Sequence, residues 1–94
     1  ANKAFIGVDG ISIKHGCTVP SNAEAEVVHL MLERTQGPVY ILADYSKWGV
    51  VSNFEIAPVH KINALITDSS LDSSALAALE ARSVEVLVAD GFRR

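Results

Sequence analysis

Aspartates stand directly after four short apolar runs of the sequence, at Asp9, Asp44, Asp68 and Asp90. Asp44 is followed within three residues by a hydroxyl and a cation, Ser46 and Lys47. Carboxylates accept hydrogen bonds from sugar hydroxyls, whereas an ammonium group balances a phosphate or a carboxylate. No glycine-rich nucleotide-binding loop accompanies them. These groups therefore favour a phosphorylated polyol as ligand over a nucleotide.

An aspartate after a strand also has ordinary structural uses, because it starts loops and caps helices well. Asp68 can open the turn at Ser69-Ser70, and Asp90 lies near the end of the chain. Asp9 and Asp44 are therefore the stronger candidates for binding. Trp48 could stack on a ligand, but we expect it to cover the end of the sheet.

Other chemistry is less well supported. The three histidines, His15, His29 and His60, lack the spacing of metal ligands, so we expect no metal site and no cofactor. Cys17 has no base placed against it and is interpreted as a free structural thiol. A lone cysteine cannot form an internal disulfide, which favours a reducing, cytoplasmic setting.

The elements that position these residues follow from the apolar runs and the helix signals. Residues 4–8, 39–43, 64–67 and 84–89 read as strands buried on both faces, as in a parallel sheet. The order predicts an α/β fold with a mostly parallel sheet and flanking helices, in which ligands bind outside the carboxyl ends of the strands.

Two helices are predicted between these strands. A capping box from Ser21 to Glu24 opens a helix that runs to about Thr35. Its apolar stripe should be Ala23, Val27, Leu30 and Met31, widened by Val28 and Leu32. Asp72 caps a second helix of residues 73–82, with Leu71 and Leu76 as a hydrophobic staple.

The remaining segments carry weaker signals. Residues 11–20 read as a loop, residues 54–57 as a short strand or irregular structure, and residues 58–61 as a single helical turn.

The length and charge of the chain limit the functions that it can have. With 94 residues the chain is one domain, and its 49% hydrophobic content argues against disorder. The net charge of −3 and the lack of a basic run do not favour direct binding to nucleic acid. No apolar run approaches the roughly 20 residues of a membrane helix, so we expect no membrane partner.

Five stretches, in order over nearly the whole chain, carry a family resemblance. They resemble the C-terminal sensor domain of DeoR-family transcriptional regulators, most specifically in the first and fourth stretches. The stretches are Phe5-Ile6-Gly7-Val8-Asp9-Gly10-Ile11, Gly16-Cys17-Thr18-Val19-Pro20, Glu24-Ala25-Glu26-Val27, Ile41-Leu42-Ala43-Asp44-Tyr45-Ser46-Lys47-Trp48-Gly49 and Leu65-Ile66-Thr67-Asp68-Ser69.

The resemblance implies a sensor that binds a phosphorylated sugar or related metabolite and a separate winged helix-turn-helix that binds DNA. It also implies that residues 1–94 are the C-terminal part of an effector-binding domain. The DNA-binding part and the first half of the sensor domain, with its Gly-Thr-Thr-type phosphate loop, would then lie outside this sequence. We expect such a regulator, most simply a repressor, to form homo-oligomers.

The sensor fold of this family is similar to that of ribose-5-phosphate isomerase. Asp9 matches an acid of the isomerase's Gly-Ala-Asp-Glu stretch, and Glu24 falls at its catalytic base. The isomerase's Ala-Asp-Glu-Ser-Lys stretch matches Asp44, Ser46 and Lys47. The resemblance thus implies Asp9, Glu24, Asp44, Ser46 and Lys47 as ligand-binding residues.

Two departures favour binding over turnover. The catalytic lysine loop of the isomerase reads His15-Gly16-Cys17-Thr18 here, and Gly10 replaces its second acid. A proton-transfer site without its electrostatic partner would be crippled. We therefore expect no catalytic residues.

Three rival interpretations stay open at this point. The first is an aldose–ketose phosphate isomerase. The second is a phospho-accepting receiver domain, which would need two adjacent acids where this chain has Asp9-Gly10. The third is an assembly module that pairs through exposed sheet edges.

Overall fold

The computed structural model describes residues 2–89, which form two sheets and two α-helices. The strands and helices follow in the order β1 (Ala4–Gly7), β2 (Gly10–Ser12), β3 (Gly16–Val19), α1 (Asn22–Arg34), β4 (Val39–Leu42), β5 (Phe54–Ala57), β6 (Ala64–Thr67), α2 (Ser73–Glu80) and β7 (Glu85–Val88). Short 3₁₀ turns lie at Tyr45–Lys47 and Val59–Lys61.

The main sheet is parallel throughout, with the strand order β1-β4-β6-β7. This confirms the predicted α/β fold and all four strands proposed for the sheet. Gly7, Leu42, Ile66 and Leu87 are partners in one row of the register. The strands lie side by side in the same order as they follow along the chain, so the strand order does not reverse within the described sheet.

A second, antiparallel sheet with the order β2-β3-β5 corrects the sequence analysis, which interpreted residues 11–20 as a loop. Ile11 pairs with Cys17, and both side chains are buried. Gly16 makes the connection possible because its φ of 71° lies in the left-handed region. The strands were missed because they are short and because Ser12, Lys14 and His15 interrupt the apolar pattern.

Helix α1 has the predicted bounds but buries a different face from the predicted stripe. Val27 and Leu30 are exposed. The buried residues are Ala25 and Val28, and Leu32 packs against the core. The predicted stripe was therefore right only in the two residues that widen it, Val28 and Leu32. Apolar residues occur on both sides of the helix, and spacing alone does not say which side meets the sheet.

Both helix caps lie where they were predicted, with small differences in hydrogen bonding. Ser21 Oγ accepts from the Glu24 amide at 3.2 Å, and the Ser21 hydroxyl donates to Glu24 Oε2 at 2.9 Å. Glu24 thus binds the hydroxyl of its cap rather than the cap's amide. Asp72 is the N-cap of α2, but its carboxylate bonds the Ser74 hydroxyl instead of a helix amide.

The hydrophobic core lies on one face of the main sheet. Ala4, Ile6, Val39, Ile41 and Leu65 point to this face, where α1 contributes Ala25 and Val28 and α2 contributes Leu79. Because crossovers of the same hand between strands placed in chain order lie on the same side, both helices cover the same face. Within residues 2–89, no helix lies on the other face of the sheet.

Candidate functional site

Three of the four aspartates occupy equivalent positions at the carboxyl edge of the main sheet. Asp9, Asp44 and Asp68 each follow the row of Gly7, Leu42 and Ile66 by two residues. The pairing continues past the strand ends, since Val8 N–H donates to Leu42 O and Ala43 N–H to Ile66 O. The fourth aspartate, Asp90, lies outside the described residues.

Asp44 and Ser46 are held in a local turn. Asp44 is the N-cap of the 3₁₀ turn, and its Oδ1 accepts from the Ser46 amide at 2.9 Å and from the Ser46 hydroxyl. Lys47 completes the turn by donating its amide to Asp44 O at 3.1 Å. Within residues 2–89 no carboxylate forms an ion pair with the Lys47 ammonium group. The turn therefore carries a cation, Lys47, beside an acid, Asp44. The positive charge of Lys47 is available to a ligand.

The second sheet anchors the loop that follows this turn. Gly49 N–H donates to Ile11 O at 2.8 Å, and Ser52 N–H donates to Thr18 Oγ1 at 2.9 Å. Gly49 has a φ of 83°, which an L side chain rarely adopts. Trp48 forms a bridge with Ile11 and packs against the core, as expected for a residue that covers the sheet end.

Gly10 lies where this loop comes closest to the hairpin. A Cβ atom at Gly10 would stand 2.3 Å from Val50 O and 2.7 Å from Thr18 Oγ1. A larger residue would therefore displace backbone. The second acid of the isomerase pattern has no room in this arrangement.

Asp9 and Asp68 differ sharply in their surroundings. Asp9 is exposed, and its amide donates to Thr18 O at 3.0 Å, which joins the end of β1 to the hairpin. Asp68 is fully buried, and its Oδ1 accepts from the Ser70 amide at 3.0 Å. Asp68 therefore opens the predicted turn, whereas the Asp9 carboxylate faces solvent.

Glu24 lines an apolar groove of about 330 Å³. This groove runs between β1 and α1, and its lining is Gly7, Val19, Ala23, Glu24, Val27 and Val28. Glu24 is exposed and engaged with its cap, so its position has a structural explanation. Neither Asp44 nor Lys47 is among the residues that line this groove.

Two other cavities lie away from these residues. One of about 410 Å³ lies between α1 and the ends of β4 and β5, where it is lined by residues such as Leu32 and Val39. A smaller one of about 180 Å³ lies beside Thr67 and Leu76. None of the three cavities is lined by Asp9, Asp44, Ser46 or Lys47.

The remaining reactive groups have structural surroundings. Burial raises the pKa of the Cys17 thiol to about 12, so this cysteine is no nucleophile at neutral pH. His15 Nδ1 lies 3.0 Å from Glu55 Oε2, so the residue at the position of the isomerase's lysine loop is paired with β5. Within the described part of the chain, no three His, Cys, Asp or Glu side chains gather as metal ligands would.

Sequence reasoning missed the residues that support the loop after Lys47, above all Gly10 and Thr18. Glycines at positions 10 and 49 were the available signal, because glycine marks close approaches and left-handed conformations.

Neither α1 nor α2 has the length and apolar composition of a membrane-spanning helix, and the described residues contain no other α-helix.

The fold is an α/β domain of the parallel-sheet class, whose ligand sites lie at the carboxyl ends of the strands. The chain belongs to the DeoR C-terminal sensor domain family, whose sequence pattern matches residues 1–69. This establishes the family that the sequence resemblance predicted.

Curated relatives agree with this assignment. The HTH-type transcriptional regulator GlpR of Haloferax volcanii is 34% identical over 90 residues, which are 96% of this chain and 34% of GlpR. The HTH-type transcriptional repressor GlcR of Bacillus subtilis is 36% identical over 89 residues, 95% of this chain and 34% of GlcR. The HTH-type transcriptional regulator IolR of the same bacterium is 34% identical over 71 residues, 76% of this chain and 28% of IolR. The chain spans about a third of the length of these relatives.

Proposed function

We propose that this chain is the ligand-sensing part of a DNA-binding transcriptional regulator and that its effector is a phosphorylated sugar or a related metabolite. The observation that carries the proposal is the equivalent placement of Asp9 and Asp44 at one sheet edge. Lys47 lies in the turn that Asp44 caps, and within residues 2–89 its ammonium group forms no ion pair. Acids accept from hydroxyls and a lysine neutralises a phosphate.

Each residue has a distinct role in this proposal. The exposed Asp9 carboxylate and Asp44 accept hydrogen bonds from sugar hydroxyls. Lys47 neutralises the phosphate, and Ser46 adds a hydroxyl beside it. Glu24 lines the groove between β1 and α1 and contributes only if the ligand extends into that groove.

The proposal extends to the whole protein through the relatives. They are named HTH-type regulators, and one is named a repressor, so we propose that DNA is bound by a helix-turn-helix part outside these 94 residues. The effector would stabilise one arrangement of the DNA-binding parts in a cytoplasmic homo-oligomer. Operator affinity would shift by no more than the difference in effector affinity between the two arrangements.

Binding without turnover is the form of the proposal that this geometry supports. The Val50 carbonyl fills the space of a second acid at Gly10, and His15 is engaged with Glu55. A sugar-phosphate isomerase would need an electrostatic partner for its proton transfer at these positions.

The test is thermal unfolding of a polypeptide that contains this chain and its DNA-binding part. Triose, pentose and hexose phosphates are compared with the unphosphorylated sugars and with inorganic phosphate. An effector at 100 times its dissociation constant should add about 2.7 kcal/mol to the free energy of unfolding. No shift with any sugar phosphate, in a protein that still binds its operator, would refute the proposal.

A matched pair of variants locates the site. Lys47→Gln should weaken the effector about tenfold or more, because it removes a charge-assisted contact. Lys14→Gln is the control, since Lys14 is an exposed lysine of the hairpin. Equal losses in the two variants would mean that net charge, and not the turn at Asp44, sets the affinity.

A further inference from the structure

Thr18 is a polar residue that is fully buried in the middle strand of the second sheet. It pairs with Gly10 of β2 on one side and with Glu55 of β5 on the other. The neighbouring Cys17 pairs with Ala57, so the register of β3 and β5 shifts between Cys17 and Thr18. Such irregularities re-aim side chains and are common beside functional sites. A buried hydroxyl needs a hydrogen-bond partner, and the partner of Thr18 shows what the residue holds.

Two hydrogen bonds join Thr18 to the residues of the candidate site. We call Asp9 and the turn from Asp44 to Lys47 the binding edge. The carbonyl oxygen of Thr18 accepts from the Asp9 amide at 3.0 Å. Its Oγ1 atom accepts from the Ser52 amide at 2.9 Å, in the loop that follows Lys47. One residue thus holds the segment of the acid through its backbone and the loop of the lysine through its side chain.

The loop carries this restraint back to Lys47. Val50 N–H donates to Lys47 O at 3.2 Å, which closes a turn directly after the lysine. Gly49 N–H donates to Ile11 O at 2.8 Å, which ties the same turn to β2. The Ile11 bond uses a backbone carbonyl and survives any substitution of that side chain. The Thr18 bond uses a hydroxyl, so a substitution can remove it.

We propose that Thr18 is a positioning residue of the binding edge, which fixes the loop after Lys47 relative to Asp9 before the effector arrives. The inference rests on the proposed function, because it concerns the spacing of an acid and a cation that would bind one molecule. The hydroxyls and the phosphate of a sugar phosphate are covalently joined, so a site with a matching fixed spacing binds it better than a loose one. Thr18 itself does not touch the effector, since its side chain is fully buried.

The hydrogen bond to Ser52 sets the size of the expected effect. Without this bond, part of the binding free energy of the effector would be used to order the loop. The loss of affinity should therefore match the net contribution of one hydrogen bond, which corresponds to roughly threefold to tenfold.

Two substitutions at Thr18 separate positioning from packing. Thr18→Val keeps the volume of the side chain and loses the hydroxyl, so it should weaken sugar-phosphate binding by about threefold to tenfold. Thr18→Ser keeps the hydroxyl and loses a methyl group, so it should lower the urea midpoint and bind sugar phosphate like the wild type. A serine variant that binds more weakly than the valine variant would assign Thr18 to packing alone and overturn the proposal.

Thr67→Val is the matched control. Thr67 is also a fully buried threonine of a strand, but within residues 2–89 its Oγ1 atom makes no hydrogen bond. The control should bind sugar phosphate with the affinity of the wild type. Equal losses in Thr67→Val and Thr18→Val would contradict the proposal, because the bond to Ser52 would then have no part in the effect.

Inorganic phosphate gives a readout that general damage to the fold would not give. This ion can contact Lys47 without Asp9, so the spacing of the two residues does not affect it. Binding is measured on the polypeptide that contains this chain and its DNA-binding part, with inorganic phosphate and with the triose, pentose and hexose phosphates. Thr18→Val should lower the affinity for sugar phosphate and leave that for inorganic phosphate unchanged. Equal losses for both probes would refute the positioning role.

Hydrogen exchange distinguishes a failure of this inference from a failure of the proposed function. In the same polypeptide, a peptide that covers residues 49–54 should take up deuterium about tenfold faster in Thr18→Val, and a peptide that covers α2 should not change. Unchanged exchange at residues 49–54 would overturn the inference even where sugar phosphates bind. Faster exchange in a protein whose wild type binds no sugar phosphate would refute the proposed function and leave Thr18 as a structural anchor of the loop.

Discussion

A single glycine determines what the end of the first strand can carry. Gly10 packs against the Val50 carbonyl and the Thr18 hydroxyl, so the loop after Lys47 and the hairpin meet at a point where no side chain fits. The chain could keep Asp9 as an acceptor but could not carry a neighbouring acid without moving this loop. The departure from the isomerase pattern thus has a steric cause.

We predict that Gly10→Ala destabilises the chain by about 2 kcal/mol or more, because the new Cβ atom would overlap backbone. Gly7→Ala should change the free energy of unfolding of the 94-residue chain by less than about 0.5 kcal/mol, since open space surrounds that position. Urea unfolding measures both. Similar losses in the two variants would show that the loop does not approach Gly10 as described.

Cys17 has a pKa that its buried position displaces far from the ordinary value. Burial raises the pKa of its thiol from 9.0 to about 12 because the thiolate loses its hydration inside the core. The unfolded chain therefore ionises first as pH rises. The contribution of the thiol to stability is complete below pH 9 and is lost between pH 9 and about 12.

We predict that the wild-type chain loses stability faster than Cys17→Ala between pH 9 and 11, by at most about 1.4 kcal/mol per pH unit. Chemical unfolding at several pH values measures the difference between the two slopes. That difference cancels the contributions of all groups that the two chains have in common. Parallel slopes would mean that the folded chain ionises its thiol as readily as the unfolded one.

At the scale of the element, helix α1 shows how neighbouring residues of one type can have different surroundings. Val27 is 59% exposed, whereas Val28 is 9% exposed and belongs to the core. The capping box and the length of the helix follow from local sequence. Its orientation depends on β3 and β5, which contact it.

We predict that Val28→Ala costs about 2 kcal/mol in the 94-residue chain, since it removes buried methyl groups. Val27→Ala should cost less than about 0.5 kcal/mol in the same chain. Thermal or urea unfolding of the pair tests which face of α1 is buried. A larger loss at Val27 would restore the stripe that the apolar spacing predicted.

At the scale of the whole molecule, the parallel sheet was predictable and the antiparallel sheet was not. The runs at Ile41 and Leu65 are apolar without alternation, which is the local mark of a strand buried on both faces. The strands of the hairpin are three and four residues long, and they gain stability by pairing with β5, which is distant in sequence.

The candidate site likewise has a part that could be predicted from the sequence and a part that could not. The acids at the strand ends and the turn from Asp44 to Lys47 could be predicted because each depends on a few consecutive residues. Their support by Ile11 and Thr18 could not, because those contacts join segments more than 30 residues apart in the sequence. Whether the edge binds a sugar phosphate remains a prediction, which the thermal-unfolding test addresses.

The matching of strand order to chain order also bears on how the molecule is made. During synthesis β1 leaves the ribosome before the other three strands of this sheet, and β4, β6 and β7 each emerge after the strand they pair with. The main sheet can therefore be assembled one strand at a time on a growing edge, with no strand waiting for a later partner. Shortening the chain at β7 removes an outer strand of the sheet and leaves the pairing of β1 with β4 and of β4 with β6 intact.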